Sequence, residues 1–110
     1  MAITSNVRQT IPITTDGLAQ KYVKTTATTI TKARIMNVYG QASAADAEIK
    51  IYDEADSSKT ASKLVYHVKF SNADNHGQSF TIPGEGIYCD SGMYVDLTNC
   101  DFCVIIGTFT

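Results

Sequence analysis

The 110 residues suffice for one domain and leave no room for a second. A net charge of −2, with nine Lys and Arg spread along the chain, speaks against nucleic acid as a partner. No apolar run approaches the ~20 residues of a membrane span, so no membrane role is expected.

Charged residues make up only 18% of the chain, against roughly 25% in an average soluble domain. Threonine supplies the missing polarity, in runs such as Thr25-Thr26-Ala27-Thr28-Thr29. It is β-branched and suits a half-buried pleated surface. The start of the chain, Met1 to Arg8, lacks the basic and apolar segments of a signal peptide, so assembly in a cytosol is expected.

Residues 1–14 read as an extended strand or arm. Ile3, Val7, Ile11 and Ile13 share one parity, and Thr4, Asn6, Arg8 and Thr10 hold the other. Residues 15–110 read as the body of the domain, entered through an Asp16-Gly17 turn. Leu18 to Thr31 predicts a strand centred on Tyr22 and Val23. Ala33 to Tyr39 is apolar on both parities, which predicts a central strand covered on both faces. Gln41 to Ala47 has helix-forming content but is too short to hold a helix alone, and is expected as a loop or single turn.

Ile49 and Ile51 alternate with Glu48, Lys50 and Tyr52. Leu64, Tyr66, Val68 and Phe70 alternate with Val65, His67 and Lys69, the cleanest half-buried pattern in the chain. Shorter strands are expected at Phe80–Ile82, Ile87–Cys89 and Met93–Leu97, and a final one at Phe102–Phe109. About eight short strands with turn signals every 8–12 residues predict a single antiparallel β-sandwich or jelly-roll-like domain of the all-β class. A parallel α/β fold would need crossover helices that this sequence does not offer.

Few residues invite a chemical reading. Cys100 and Cys103 have a CxxC spacing, with Cys89 upstream. A zinc site would need a fourth ligand from His67 or His76. Residues three apart in a strand face opposite ways, so the simpler expectation is a core thiol at Cys103 and a turn residue at Cys100. His67 and His76 have no nucleophile or carboxylate partner implied by the sequence, so no catalytic residue is assigned. Asp53-Glu54-Ala55-Asp56, with Asp46 and Glu48, offers carboxylates for calcium but lacks the EF-hand spacing and its glycine. A charged hairpin loop is the expectation, and no metal or other cofactor is assigned. Gly84-Glu85-Gly86 follows Pro83, opens no helix and reads as a tight reversal.

Two sets of residues remain as contact candidates. Ile3, Val7 and Ile11 would let the arm pair with a neighbouring subunit by strand addition. Tyr52, Tyr88 and Tyr94, with His76, would form an aromatic face for a glycan. The closing strand, Val104 to Phe109, is apolar enough to want covering on both faces, and oligomerisation is one way to cover it.

The segment Ser79 to Leu97, with Pro83-Gly84-Glu85-Gly86-Ile87-Tyr88 and Gly92-Met93-Tyr94-Val95 inside it, resembles small structural proteins of tailed bacteriophages, including cyanophages. Ala47-Glu48-Ile49-Lys50-Ile51-Tyr52-Asp53 is similar to the strand that often precedes it there. The resemblance covers about half the chain and carries no catalytic motif. It implies a non-enzymatic virion component assembled in the host cytoplasm. The leading expectation is a trimeric capsid decoration or cement protein that binds the major capsid protein or other virion proteins. The alternative is a tail or fibre module that binds a host glycan or receptor.

Overall fold

The computed structural model describes residues 7–70 and 77–110. Among these, alternating side chains produce strands almost everywhere: β1 (Arg8–Gln9), β2 (Gly17–Leu18), β3 (Gln20–Val23), β4 (Thr26–Thr29), β5 (Ala33–Ala42), β6 (Glu48–Tyr52), β7 (Leu64–Lys69), β8 (Gly77–Thr81), β9 (Ile87–Cys89), β10 (Tyr94–Thr98) and β11 (Cys100–Phe109). One 3-10 turn, Ala61–Lys63, leads into β7. The Gln41–Ala47 stretch finishes β5 and then turns, with Asp46 at φ 60°.

Two antiparallel sheets form the body. The first has the order β1-β11-β5-β8, with β9 pairing the opening residues of β5. The second has the order β2-β10-β6-β7. Ile35, Val38, Cys103 and Ile105 from the first sheet and Ile49, Ile51 and Val95 from the second are fully enclosed in one apolar cluster. Burying an isoleucine of this kind stabilises the fold by about 1.5–3 kcal/mol. The all-β sandwich expected from the alternation is what the chain forms. Gly40 lets the sheets approach closely, because a Cβ there would lie 2.9 Å from the Ile49 side chain and 3.1 Å from Phe70.

β-Bulges set which residues face the core. Asn37 pairs with Ile106, but Ile35 pairs with Gly107, so Met36 is the extra residue and the parity of β5 switches across it. Ala33 and Ile35 point inward on one side of the bulge, and Val38, Gly40 and Ala42 on the other. This corrects the expectation of a strand covered on both faces. One face is buried, and Tyr39 on the other is exposed. A second shift, at β6–β7, pairs Tyr52 with Leu64 and Ile51 with Tyr66. Val65 then packs against the core, and Leu64 is left 36% exposed.

The start of the described chain is the first strand of its own sheet. Arg8 pairs with Gly107, Gln9 with Ile106, and Ile13 bridges to Cys103. Thr10 lies between them, buried, and its hydroxyl accepts the Ile105 N–H at 3.1 Å. A side-chain oxygen thus replaces a ladder carbonyl where the main chain turns from β11 towards β3, with Ile11 N–H donating to the Gln20 carbonyl.

The segment predicted as one strand around Tyr22 and Val23 is a hairpin, β3–β4, forming a separate two-stranded sheet. Lys24 turns it at φ 59°. Most of its residues are exposed, Tyr22 at 56% and Val23 at 46%, and the cross-strand pair Lys21 and Thr28 is half-buried.

Candidate functional site

The candidate contact residues are distributed unevenly. Val7 is 44% exposed at the edge of β1 and Ile11 is half-buried, whereas Ile3 lies outside the described residues. Tyr52 and Tyr94 are direct cross-strand neighbours on β6 and β10, and both are buried. They therefore cannot present rings to a glycan, a correction of the sequence-based expectation. Tyr52 appears on the polar parity of its strand, but the shift at Leu64 closes over that end of the sheet. Tyr88 does reach solvent, 55% exposed, and His76 lies outside the described residues.

The cysteines are all free. The register shift between Cys100 and Phe102 pairs Cys100 with Ala42 and Cys103 with Gly40, so both thiols face inward. The expectation that they diverge fails because the bulge at Asp101 rotates Cys100 to the core side. Cys100 Sγ is directed at the Glu48 and Thr98 carbonyls, at 3.5 and 3.4 Å. Burial pushes the Cys89 and Cys103 thiols up to about 12. Iodoacetamide at pH 8 should accordingly label Cys100 first and reach Cys89 and Cys103 only after unfolding. Peptide mass mapping over time reads this, and early labelling of Cys103 would contradict the burial.

The acidic loop spends its carboxylates on main-chain N–H groups, its own and that of Ser91. Asp53 Oδ1 accepts the Ser91 N–H at 2.7 Å, Glu54 Oε1 the Thr60 N–H at 2.9 Å, and Asp56 Oδ1 the Ser58 N–H at 2.9 Å. They hold the turn and do not converge, and no group of three metal-ligating side chains is present among the described residues. His67 has a carboxylate partner that the sequence did not indicate: its Nε2 lies 2.7 Å from Glu48 Oε1, across β6–β7. That bond holds the Glu48 carboxyl below its ordinary value. Asp16 is likewise held low. Burial acts against this, and the Leu97 N–H and Lys59 outweigh it. Lys59 also lies 3.6 Å from Asp96, so it fastens the β6–β7 loop to β10.

One concentration of charge was not visible in the sequence. A cleft of about 540 Å³ opens at the end of the first sheet, and Arg8, Lys21, Lys32 and Arg34 line it, with Tyr88 and a single acid, Asp90. Four of the nine basic residues, spread over 27 positions of sequence, therefore meet at one place, which corrects the reading of scattered charge. Register explains part of the convergence. Thr108 on β11, Arg34 on β5 and Tyr88 on β9 form one row across three strands and share a face. The Arg34 stem lies over Gly86, whose absent Cβ would sit 3.1 Å from Arg34 Cγ.

Among the described residues none of the four cations takes part in a salt bridge. Arg34 Nε is buried without a hydrogen-bond partner. The Thr110 main-chain oxygen, also at the cleft, is engaged by the N–H groups of Thr31 and Lys32 and by the Thr31 hydroxyl. Compared with known protein families, curated proteins and solved structures, the chain matches none.

Proposed function

We propose that this chain is a non-enzymatic structural protein that works by packing against other proteins, as a capsid decoration or cement protein of a virion. The observation that carries the reading is the β3–β4 hairpin. An isolated two-stranded hairpin is marginal in water. This one is linked to the body by a few main-chain hydrogen bonds, including Ile11 N–H to the Gln20 carbonyl, and leaves Tyr22 and Val23 uncovered. Such a projection gains its support from a neighbour. Tyrosine suits the centre of an interface because it offers a large contact area for few rotatable bonds. Val7, just before β1, is a further apolar residue that reaches solvent.

In this reading the partner is the major capsid protein or a second copy of the chain within a trimer, and assembly takes place in the host cytoplasm. Binding stabilises the shell by linkage, because only the assembled lattice presents the complementary surface. Replacing Tyr22 and Val23 with Ser tests this directly. Both side chains are exposed, so the melting temperature of the isolated chain should hold, while trimerisation or co-sedimentation with capsids should weaken by about tenfold or more. Unchanged association in the double variant would refute the reading.

The alternative, a tail or fibre module for a host glycan, is favoured by one feature: Tyr88 is exposed beside Arg34.

A further inference from the structure

The geometry points to the cleft between β1, β5, β9 and β11 as a binding site for a tetrahedral oxyanion, a sulfate or phosphate ester, carried on a sugar ring that lies on Tyr88. This goes beyond the packing role proposed above and does not depend on it.

Four cations and one acidic side chain, with the main-chain oxygen of Thr110, line a single concavity in a chain whose net charge is −2. Like charges held together with too few counter-charges repel, so a cluster of this kind is destabilising unless an anion joins it. The usual remedy, ion pairing on the surface, is not taken by these four cations: the salt bridges among the described residues go to Lys59, His67 and Lys69.

Arg34 Nε is cut off from solvent and has no acceptor. A buried donor left unpaired costs on the order of 1–3 kcal/mol. A small turn of the guanidinium into the cleft would bring Nε and one terminal nitrogen onto an oxyanion together, in the bidentate geometry that arginine favours.

A volume of about 540 Å³ is that of a small-molecule pocket rather than of a flat protein interface. An extended nucleic acid would need a stripe of cations along a face or groove, not four around one cavity. A carboxylate has two oxygens and one charge, which a single arginine can satisfy. A sulfate or phosphate ester has three terminal oxygens to distribute among Arg34, Lys32, Lys21 and Arg8. Tyr88, a residue 55% exposed, stands next to Arg34 in the same cross-strand row and offers a flat apolar surface on which a sugar packs.

The test is an amide NMR titration of the ¹⁵N-labelled chain with sodium sulfate and sodium phosphate, against sodium chloride at equal ionic strength. The Arg34, Tyr88 and Thr108 signals should move and saturate with the two oxyanions and stay still with chloride. Glucose 6-sulfate and glucose 6-phosphate should bind about three- to tenfold more tightly than the inorganic ions, and their order separates a sulfated from a phosphorylated source. Glucose itself should not bind. Arg34→Gln should weaken every anion by about tenfold, and Lys32→Gln and Lys21→Gln by less. Tyr88→Ala should remove only the advantage of the sugar esters, and Lys50→Gln on the other sheet should change nothing.

Should Arg34→Gln lose the folded amide spectrum, the two lysine variants, whose side chains are not core residues, decide the matter. Shifts that chloride reproduces, or variants that bind as the parent does, would overturn the site. Tighter binding of hexaglutamate or of a short oligonucleotide would replace this ligand class with an acidic protein or a nucleic acid.

Discussion

Gly107→Ala should destabilise the protein by about 1–3 kcal/mol or more, the range for forcing extra volume into a packed site. A Cβ at Gly107 would come against the main-chain carbonyl of Arg34, 2.0 Å from its oxygen, and 3.3 Å from Ile35 Cα. Neither atom is the free end of a side chain, so relief requires β5 and β11 to separate. These are the two longest strands, they pair over nearly their whole length, and they hold Ile35, Val38, Cys103 and Ile105 in the core. The position also flanks the bulge at Met36, where the ladder has already lost a regular pairing. Urea unfolding measures the effect. Gly17→Ala is the control, since a Cβ there meets nothing within 4 Å, and it should stay within about 0.5 kcal/mol of the parent. A Gly107→Ala midpoint as high as that of Gly17→Ala would mean that β5 and β11 are not packed as described.

Period-two alternation made the all-β class and most strand positions legible, because a strand with one buried face must place apolar residues at every second position. What alternation cannot register is an inserted residue. Met36 looks like any other apolar member of β5, yet as a bulge it reverses the inward parity and creates the false sign of a strand covered on both faces. The same failure moved Leu64 out of the core and rotated Cys100 into it. Thr10 is a different case. It sits on the polar parity and is buried all the same, because its hydroxyl completes a sheet hydrogen bond.

The candidate sites were less legible than the strands. Val7 and Tyr88 are exposed as a contact role requires, whereas Tyr52 and Tyr94 are enclosed by neighbouring strands that no local pattern identifies. The cationic cleft depends wholly on topology. Arg8, Lys21, Lys32 and Arg34 come from three different strands and the turn before β5, and only the antiparallel return of β11 brings β1 alongside the start of β5. The one local sign was Gly86, a positive-φ glycine that leaves room for the Arg34 stem.

The register of β11 can be tested with two adjacent residues of identical type. Ile105 is fully buried against Val38 and the opposing sheet, whereas Ile106 faces away beside Asn37 and Gln9 and is half-buried. Ile105→Ala should cost about 2–5 kcal/mol, the sum of lost transfer energy and an unfilled cavity. It also disturbs the site where the Ile105 N–H meets the Thr10 hydroxyl. Ile106→Ala should cost under about 1.5 kcal/mol, because partial burial yields less transfer energy and solvent can occupy the space. Since side chains alternate strictly, a one-residue slip of β11 against β5 would exchange the two values. Denaturation midpoints for the pair therefore report the orientation of the whole strand. That orientation decides whether Phe102, Val104 and Ile106 form the outer face of the sheet, between the exposed Tyr39 and the β1 edge, or its core.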